Sequence, residues 1–197
     1  MKILFATSNE NKIAEARSAL GSLGHTVEQL LIDGHAPDFI EPQADDIEVI
    51  SKSKIQQSLE LISGTEFEGC AVLVEDSGLF INSLDNFPGV YSSYVSKTIG
   101  NEGIIKILKG NLNRKAEYRA YSIIYENGNY WHSRGICLGE ISTKILGSNG
   151  FGFDPIFIPD SGDGRTFGEM LQSEKDAKSH RGESLRILCD ELKPPSK

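Results

Sequence analysis

The sequence predicts an α/β protein with a mixed, twisted sheet, and two observations lead to this fold class. The chain begins with a β-α-β pattern over residues 3–32, in which a short apolar strand is followed by a helix and a second strand. A long β-hairpin then occupies residues 116–141, where two β-rich runs meet at Asn127-Gly128, a dipeptide typical of hairpin turns. A β-α-β unit and a hairpin in one chain indicate a mixed sheet.

The other elements follow from the spacing of apolar residues. Asp45, three residues before Glu48, is predicted to cap the second helix in the manner of a capping box. The segment 70–81 is predicted to be a strand with a polar break, and 148–160 a glycine-rich loop that enters a short strand. Apolar residues at helical intervals predict helices over 13–23, 47–62, 101–109 and 185–192.

Composition limits the class of protein. The 197 residues are 39% hydrophobic, which is enough for one large domain or two joined lobes. The net charge of -8 and the absence of a basic face argue against a nucleic-acid partner. We expect no signal peptide and no membrane partner, because no apolar run has the required length. Cys70, Cys137 and Cys189 are widely separated, which favours reduced thiols and a cytoplasmic location.

The first polar segment, "TSNENK" at residues 7–12, follows the first strand. Thr7, Ser8 and Asn9 are all good N-cap residues, and the free N–H groups at a helix N-terminus form an anion site. A lysine such as Lys12 on the first turn disfavours a helix by about 0.3–1 kcal/mol, and a bound triphosphate would reverse that effect. The alternative is an ordinary capped helix with a solvated lysine.

The second segment, "VLVEDSG" at residues 72–78, places Glu75 and Asp76 at a predicted strand end. Adjacent carboxylates repel each other, so a divalent cation is expected to neutralise them. Magnesium prefers one or two carboxylates together with substrate phosphates, and Glu41 is a further candidate ligand. The alternative is a turn, because Asp-Ser-Gly is a good turn tripeptide.

The third segment, "NGFGFDPIF", alternates glycines with aromatic residues. Gly150 and Gly152 allow a ligand to approach the backbone, and Phe151 and Phe153 can stack on a nucleotide base. The alternative places the phenylalanines in the hydrophobic core.

The fourth segment, "EKDAKSHRGE", concentrates four donors, Lys175, Lys178, His180 and Arg181, ahead of a glycine that we expect to break the helix. It is suited to an anion or a carbonyl. The alternative is a solvated basic turn of helix.

In this order the segments resemble the inosine/xanthosine triphosphate pyrophosphatase family over residues 3 to about 190. The matching pieces are "TSNENK", "EDSGL", "FPGVYS", "GFGFDPIF" and "EKDAKSHRG". The resemblance implies an elongated fold of two lobes with the active-site cleft between them, a single domain over 1–193 and a frayed tail over 194–197. It also implies a homodimer that uses Mg²⁺ to cleave ITP, dITP and XTP between the α- and β-phosphates.

The resemblance also assigns roles residue by residue. Asp76 matches the proton acceptor and a metal ligand, and Glu41 matches the other metal ligand. Relatives often carry a basic residue where this chain has Ser92-Ser93-Tyr94, so Lys97 is a candidate replacement. The substrate-binding positions are Thr7, Ser8, Asn9, Glu10, Asn11, Lys12, Lys54, Ser77, Phe151, Gly152, Phe153, Asp154, Lys175, His180 and Arg181.

Base selection follows from hydrogen-bond chemistry. Arg181 can only donate, which suits the 6-carbonyl of hypoxanthine or xanthine and opposes the 6-amino group of adenine. Three alternatives stay open: a non-catalytic nucleotide sensor, a pyrophosphatase for common nucleotides, and a distant family linked to septum formation that lacks "SHRG". The acids Glu41, Glu75 and Asp76 favour an enzyme over a sensor.

Overall fold

The structure is a computed structural model that describes residues 1–192. The predicted frayed tail over 194–197 lies outside the described residues. The strands are β1 (Lys2–Phe5), β2 (Thr26–Gln29), β3 (Ala71–Ile81), β4 (Pro88–Gly89), β5 (Lys115–Glu126), β6 (Asn129–Ile141) and β7 (Phe157–Pro159). The helices are α1 (Glu10–Gly21), α2 (Ile47–Ile62), α3 (Ser92–Thr98), α4 (Gly100–Ile107), α5 (Gln172–Asp176) and α6 (His180–Glu191).

The strands form one sheet in the order β2-β1-β3-β5-β6-β7, with β4 paired to β3. β1 runs parallel to both β2 and β3, so that Ile3 lies opposite Val27 on one side and Ala71 on the other. The pairs β3–β4 and β6–β7 are antiparallel. The sheet is therefore mixed, and the predicted α/β class is confirmed.

The chain divides into two compact units. The first consists of 1–76, 121–134 and the described residues from 184 onward, and the second of 77–120 and 135–183. The core of the first is formed by Ile3, Phe5, Ile13, Ala16, Leu20, Val27, Ala71, Leu73, Ile124, Leu185 and Leu188. The core of the second is formed by Leu79, Ile81, Val95, Ile104, Leu108, Ala116, Tyr118, Cys137, Ile141, Phe153, Ile156, Phe157, Phe167 and Met170.

The turn between β5 and β6 has the backbone conformation that an Asn-Gly sequence favours. Asn127 and Gly128, between β5 and β6, both have positive φ values of 49° and 84°. Two successive positive φ angles match the right-handed twist of the flanking strands, which is why Asn-Gly is favoured there.

β3 continues through the segment where a polar break was predicted. Glu75 to Gly78 stay extended within a strand that pairs with β1 at its beginning and with β4 at its end. A Cβ atom on Gly78 would lie 2.3 Å from the carbonyl oxygen of Gly89, so glycine allows β4 to approach this closely. The "DSG" tripeptide therefore serves strand pairing, and the turn interpretation is wrong.

Three further differences from the prediction concern the helices. Asp46, one residue beyond the predicted cap, caps α2, because its Oδ1 accepts from the Glu48 amide at 2.9 Å. α6 already begins at His180, so Gly182 lies inside a helix that we expected it to break. The helix α3, over 92–98, was not predicted, since its short sequence lacks a clear apolar period.

Candidate functional site

The loop between β1 and α1 has its amides partly occupied. The Asn9 side chain accepts from the amides of Asn11 at 3.0 Å and Lys12 at 3.3 Å, and the Asn9 amide donates to Thr7 Oγ1 at 3.2 Å. Asn9 is therefore the N-cap of α1. We expected these amides to be free for an anion, but the cap uses them. Ser8 and Glu10 of the same loop are exposed.

Lys12 is paired rather than solvated. Its Nζ lies 2.8 Å from Glu75 Oε2 and donates to the Glu75 carbonyl oxygen at 3.2 Å. The Glu75 side chain is only 1% exposed. The buried carboxylate offsets the unfavourable position of a lysine on the first helical turn.

Lys54, on α2, bridges two carboxylates. Its Nζ lies 2.6 Å from Glu41 Oε1 and 3.1 Å from Asp76 Oδ2. Glu41 is half exposed, whereas Lys54 and Asp76 are largely covered. We call Lys12, Glu41, Lys54, Glu75 and Asp76 the lysine–carboxylate cluster; all five belong to the first compact unit.

Burial and charge act in opposite directions on the central pair. Burial raises the pKa of Asp76, although the charges of Lys12 and Lys54 oppose this. Burial lowers the pKa of Lys54, but Asp76 and Glu41 outweigh it and the net shift is upward. The expectation of two mutually repelling acids is modified, since Glu75 and Asp76 each have a lysine partner.

Glu41 and Asp76 have the right chemistry for a divalent cation. They already share one positive charge, the Lys54 ammonium, and both present oxygen ligands of the kind that Mg²⁺ prefers. Within residues 1–192, no group of three or more His, Cys, Asp or Glu residues is arranged to hold a metal ion. The donor set therefore fits a site that two carboxylates form together with a ligand's phosphates.

The fourth segment is buried, so the solvated-turn interpretation is wrong for its main donors. Lys175, His180 and Arg181 are exposed by 2%, 4% and 2% respectively. Lys175 Nζ lies 2.8 Å from Asp154 Oδ2, and that oxygen also accepts from the Phe151 amide at 2.7 Å. Burial raises the pKa of Asp154, with Lys175 acting in the opposite direction.

The Phe151 ring lies among these cations. Lys175 Nζ is 4.5 Å from the ring centroid and the Arg181 guanidinium carbon is 5.5 Å from it. Arg181 also donates through Nη2 to Ser77 Oγ at 3.0 Å. We call Ser77, Phe151, Asp154, Lys175, His180 and Arg181 the buried basic cluster; all belong to the second compact unit.

Tyr118, which the sequence did not indicate as a site residue, packs against this cluster. Its ring stacks on His180 with a centroid separation of 4.6 Å and an interplanar angle of 7°. Tyr118 lies on the buried face of β5, so the alternation of that strand indicated a core residue and gave no functional signal. Phe153, predicted to stack on a base, is 2% exposed and belongs to the hydrophobic core.

Other predicted positions have more ordinary roles. Ser92 is buried; its Oγ accepts from the Leu79 amide and donates to the Gly89 carbonyl oxygen. Lys178 donates to the carbonyl oxygen of Ser161 and is only partly buried, unlike the three buried donors. Gly152 is exposed, and Lys97 is exposed near the end of α3.

Each of the two clusters contains one of two consecutive residues in the sequence. Asp76 and Ser77 are consecutive residues of β3, and the boundary between the compact units falls between them. One strand therefore supplies an acid to the lysine–carboxylate cluster and a hydroxyl to the buried basic cluster.

This is therefore an α/β protein with a cluster of lysines and acids in one compact unit and a cluster of buried cations in the other. The chain belongs to the Ham1 family, whose model matches residues 3–191. This confirms the resemblance drawn from the motifs.

Similar proteins cover almost the whole chain. A dITP/XTP pyrophosphatase from Thermococcus kodakarensis is 43% identical over 193 residues, which is 98% of each chain. One from Pyrococcus horikoshii is 41% identical and covers 98% of this chain and 97% of its own. The solved structure of a HAM1 protein from Coxiella burnetii has a TM-score of 0.82 at 28% identity, covering 98% of both chains. The nucleoside-triphosphatase / dITP/XTP pyrophosphatase from Mycobacterium abscessus has a TM-score of 0.72 at 30% identity, covering 98% of this chain and 100% of its own.

Proposed function

We propose that this chain hydrolyses deaminated purine nucleoside triphosphates (ITP, dITP and XTP) to the monophosphate and pyrophosphate. The activity named for its relatives supports this proposal. The observation that carries it is the pairing of Lys12 and Lys54 with Glu41, Glu75 and Asp76. Phosphoryl transfer depends mainly on positioning and electrostatics, for which lysines and acids in one cluster are suited.

The lysine–carboxylate cluster takes the phosphate end of the substrate. Lys54 turns from its carboxylates to phosphate oxygens, whereas Lys12 donates to phosphate and keeps its contact with Glu75. Ser8 of the preceding loop is exposed and available. Asp76 accepts a proton from the attacking water at its carboxylate. Its burial supports this role, because burial raises the pKa of the carboxyl and makes it a better base.

Glu41 and Asp76 are the residues that would hold Mg²⁺. When bound, Mg²⁺ would lower the charge barrier to attack on the phosphate. Glu75 stays with Lys12 as a buried counter-charge, since its side chain is only 1% exposed.

The buried basic cluster takes the base. Phe151 stacks on it, and Arg181 donates to the carbonyl at carbon 6. Asp154 acts indirectly, because it holds the Phe151 amide and the Lys175 ammonium in place. Tyr118 fixes the plane of the His180 ring by stacking.

The test is product analysis with purified protein. Phosphorus NMR of ITP turnover with Mg²⁺ is expected to show inosine monophosphate and pyrophosphate, and turnover should stop when the metal is chelated. Asp76→Asn is expected to bind ITP but to lose turnover by at least about a hundredfold, the lower range for a general base. Release of inosine diphosphate and phosphate would contradict the proposal.

A homodimer in the cytoplasm is part of the same proposal. Exposed apolar side chains are available for such an interface, among them Tyr94 at 69%, Leu112 at 99% and Leu138 at 57% exposure. Cys70, Cys137 and Cys189 form no disulfide with one another, which suits a reducing compartment. No helix within residues 1–192 is long and apolar enough to cross a membrane. Sedimentation equilibrium should give twice the monomer mass.

A further inference from the structure

The lysine–carboxylate cluster contains a cation of its own at the place that the proposed metal needs. The Lys54 ammonium lies 2.6 Å from Glu41 and 3.1 Å from Asp76, the two acids assigned to Mg²⁺. Magnesium requires oxygen ligands at about 2.0–2.1 Å in near-octahedral geometry. The ammonium occupies one oxygen of each acid and repels a divalent cation, so an ion held by both acids competes with the ammonium that bridges them.

We infer that Lys54 is an internal gate that keeps the metal site closed until a nucleotide is bound. The gate opens when the triphosphate draws the Lys54 ammonium away from Glu41 and Asp76 and leaves their oxygens to the metal. Lys54 is thus a positioning residue that makes metal binding depend on nucleotide binding. The inference rests on the proposed function, because it takes Glu41 and Asp76 as the metal ligands.

In each state of the exchange a cation lies between the two acids. Without nucleotide, the single charge of Lys54 offsets part of the charge of Asp76, which is largely covered, and of Glu41, which is half exposed. Removal of the ammonium would leave two neighbouring carboxylates that repel each other. A triphosphate provides the ammonium with a stronger anionic partner, and the two acids would then hold a divalent cation in place of the positive charge of Lys54.

The position of Lys54 makes this exchange possible. Its backbone is fixed in the interior of α2, while its side chain is flexible and 14% exposed. Lys52, on the same helix, offers a matched comparison. It pairs with Glu48 at 2.7 Å but is 56% exposed and contacts neither Glu41 nor Asp76 in any described pair.

The test is the affinity of nucleotide-free protein for Mn²⁺, which prefers the same oxygen ligands as Mg²⁺ and is detected by electron paramagnetic resonance. Lys54→Gln and Lys54→Met remove the charge and should each bind Mn²⁺ at least about tenfold more tightly than the parent. Lys54→Arg keeps the charge and should bind like the parent, as should Lys52→Gln. Circular dichroism checks that each variant is folded.

The parent provides a test that does not depend on any variant. We expect its nucleotide-free dissociation constant for Mn²⁺ to be weaker than about 1 mM, that is, a binding free energy smaller than about 4 kcal/mol. Micromolar binding by the parent would overturn the inference, and so would unchanged affinity in both neutral variants. No turnover is measured here, so this result is independent of the pyrophosphate assay that tests the proposed function.

Discussion

Lys12 shows how one residue serves both the fold and the proposed site. Its ammonium is the partner of Glu75, whose side chain is 1% exposed, so its removal should cost stability as well as phosphate binding. We expect Lys12→Met to lower the free energy of unfolding by about 1–3 kcal/mol, because a buried carboxylate loses a charged donor. Urea denaturation of the nucleotide-free protein measures this loss.

The double variant Lys12→Met/Glu75→Gln is the control for this prediction. Because it removes the charge together with its partner, it should recover part of the lost stability. A single Lys12→Met variant as stable as the parent would show that the pair contributes nothing to the fold.

Arg181 is the residue to which the proposed function assigns base selection. Arg181→Ala should reduce kcat/KM for ITP much more than for ATP, because it removes both the donor to a 6-carbonyl and the conflict with a 6-amino group. The ratio of kcat/KM for ITP to kcat/KM for ATP should fall about 5- to 150-fold, which corresponds to about 1–3 kcal/mol. Lys178→Ala is the matched control from the same segment, since Lys178 bonds to Ser161 and is expected to leave the ratio unchanged. Equal losses on both substrates would assign Arg181 to phosphate.

At the scale of elements, the loop before β7 depends on glycine for two different reasons. Gly150 has φ of +74°, and a Cβ there would lie 2.1 Å from Asp154 Oδ2. Gly152 has φ of +62°, but its Cβ would meet nothing within 4 Å. A substitution at Gly152 therefore causes backbone strain alone, and one at Gly150 adds a collision with the acid that holds Phe151 and Lys175.

This pair of glycines gives a controlled prediction. Gly152→Ala should destabilise by about 1–2 kcal/mol, the cost of a left-handed backbone for an L-residue. Gly150→Ala should lose at least about 1 kcal/mol more and should also raise KM for ITP, because Asp154 is displaced. Urea unfolding and steady-state kinetics measure the two effects. Equal losses in both variants would show that Asp154 has room to move and does not position the ring.

The elements also show what could be predicted from sequence. The first strand, the helices over 47–62 and 101–109 and the turn at Asn127-Gly128 follow from apolar spacing and turn chemistry, and the structure has them within a few residues. β3 was interrupted in the prediction because "EDSG" is polar. Its continuity comes from pairing with β1, which is distant in the sequence, and with β4, the next strand along the chain.

At the scale of the whole molecule, the motifs identified the family, but the partnerships within them could not be predicted. That Lys12 pairs with Glu75, and Lys54 with Asp76, depends on the packing of α1 and α2 against the sheet. The stacking of Tyr118 on His180 likewise joins β5 to α6. Local pattern indicates which residues carry chemistry, and tertiary structure decides what each one contacts.

A net charge of -8 is consistent with a local role for the basic residues. Two lysines of the proposed site are paired with acids. Lys54 lies between Glu41 and Asp76, and Lys175 lies against Asp154. Under the proposed function, these paired and buried cations are the groups that would meet the small anionic substrate.

The most direct test of this account is a competition between substrates. Purified protein with Mg²⁺ should be given XTP, ITP or dITP in a mixture with ATP, and kcat/KM for each should be obtained from the monophosphates released. We expect a preference of at least about tenfold for each deaminated purine over ATP, because adenine presents a 6-amino group instead of a carbonyl acceptor to the buried donor Arg181. Turnover of ATP at the same rate as ITP and XTP would contradict it.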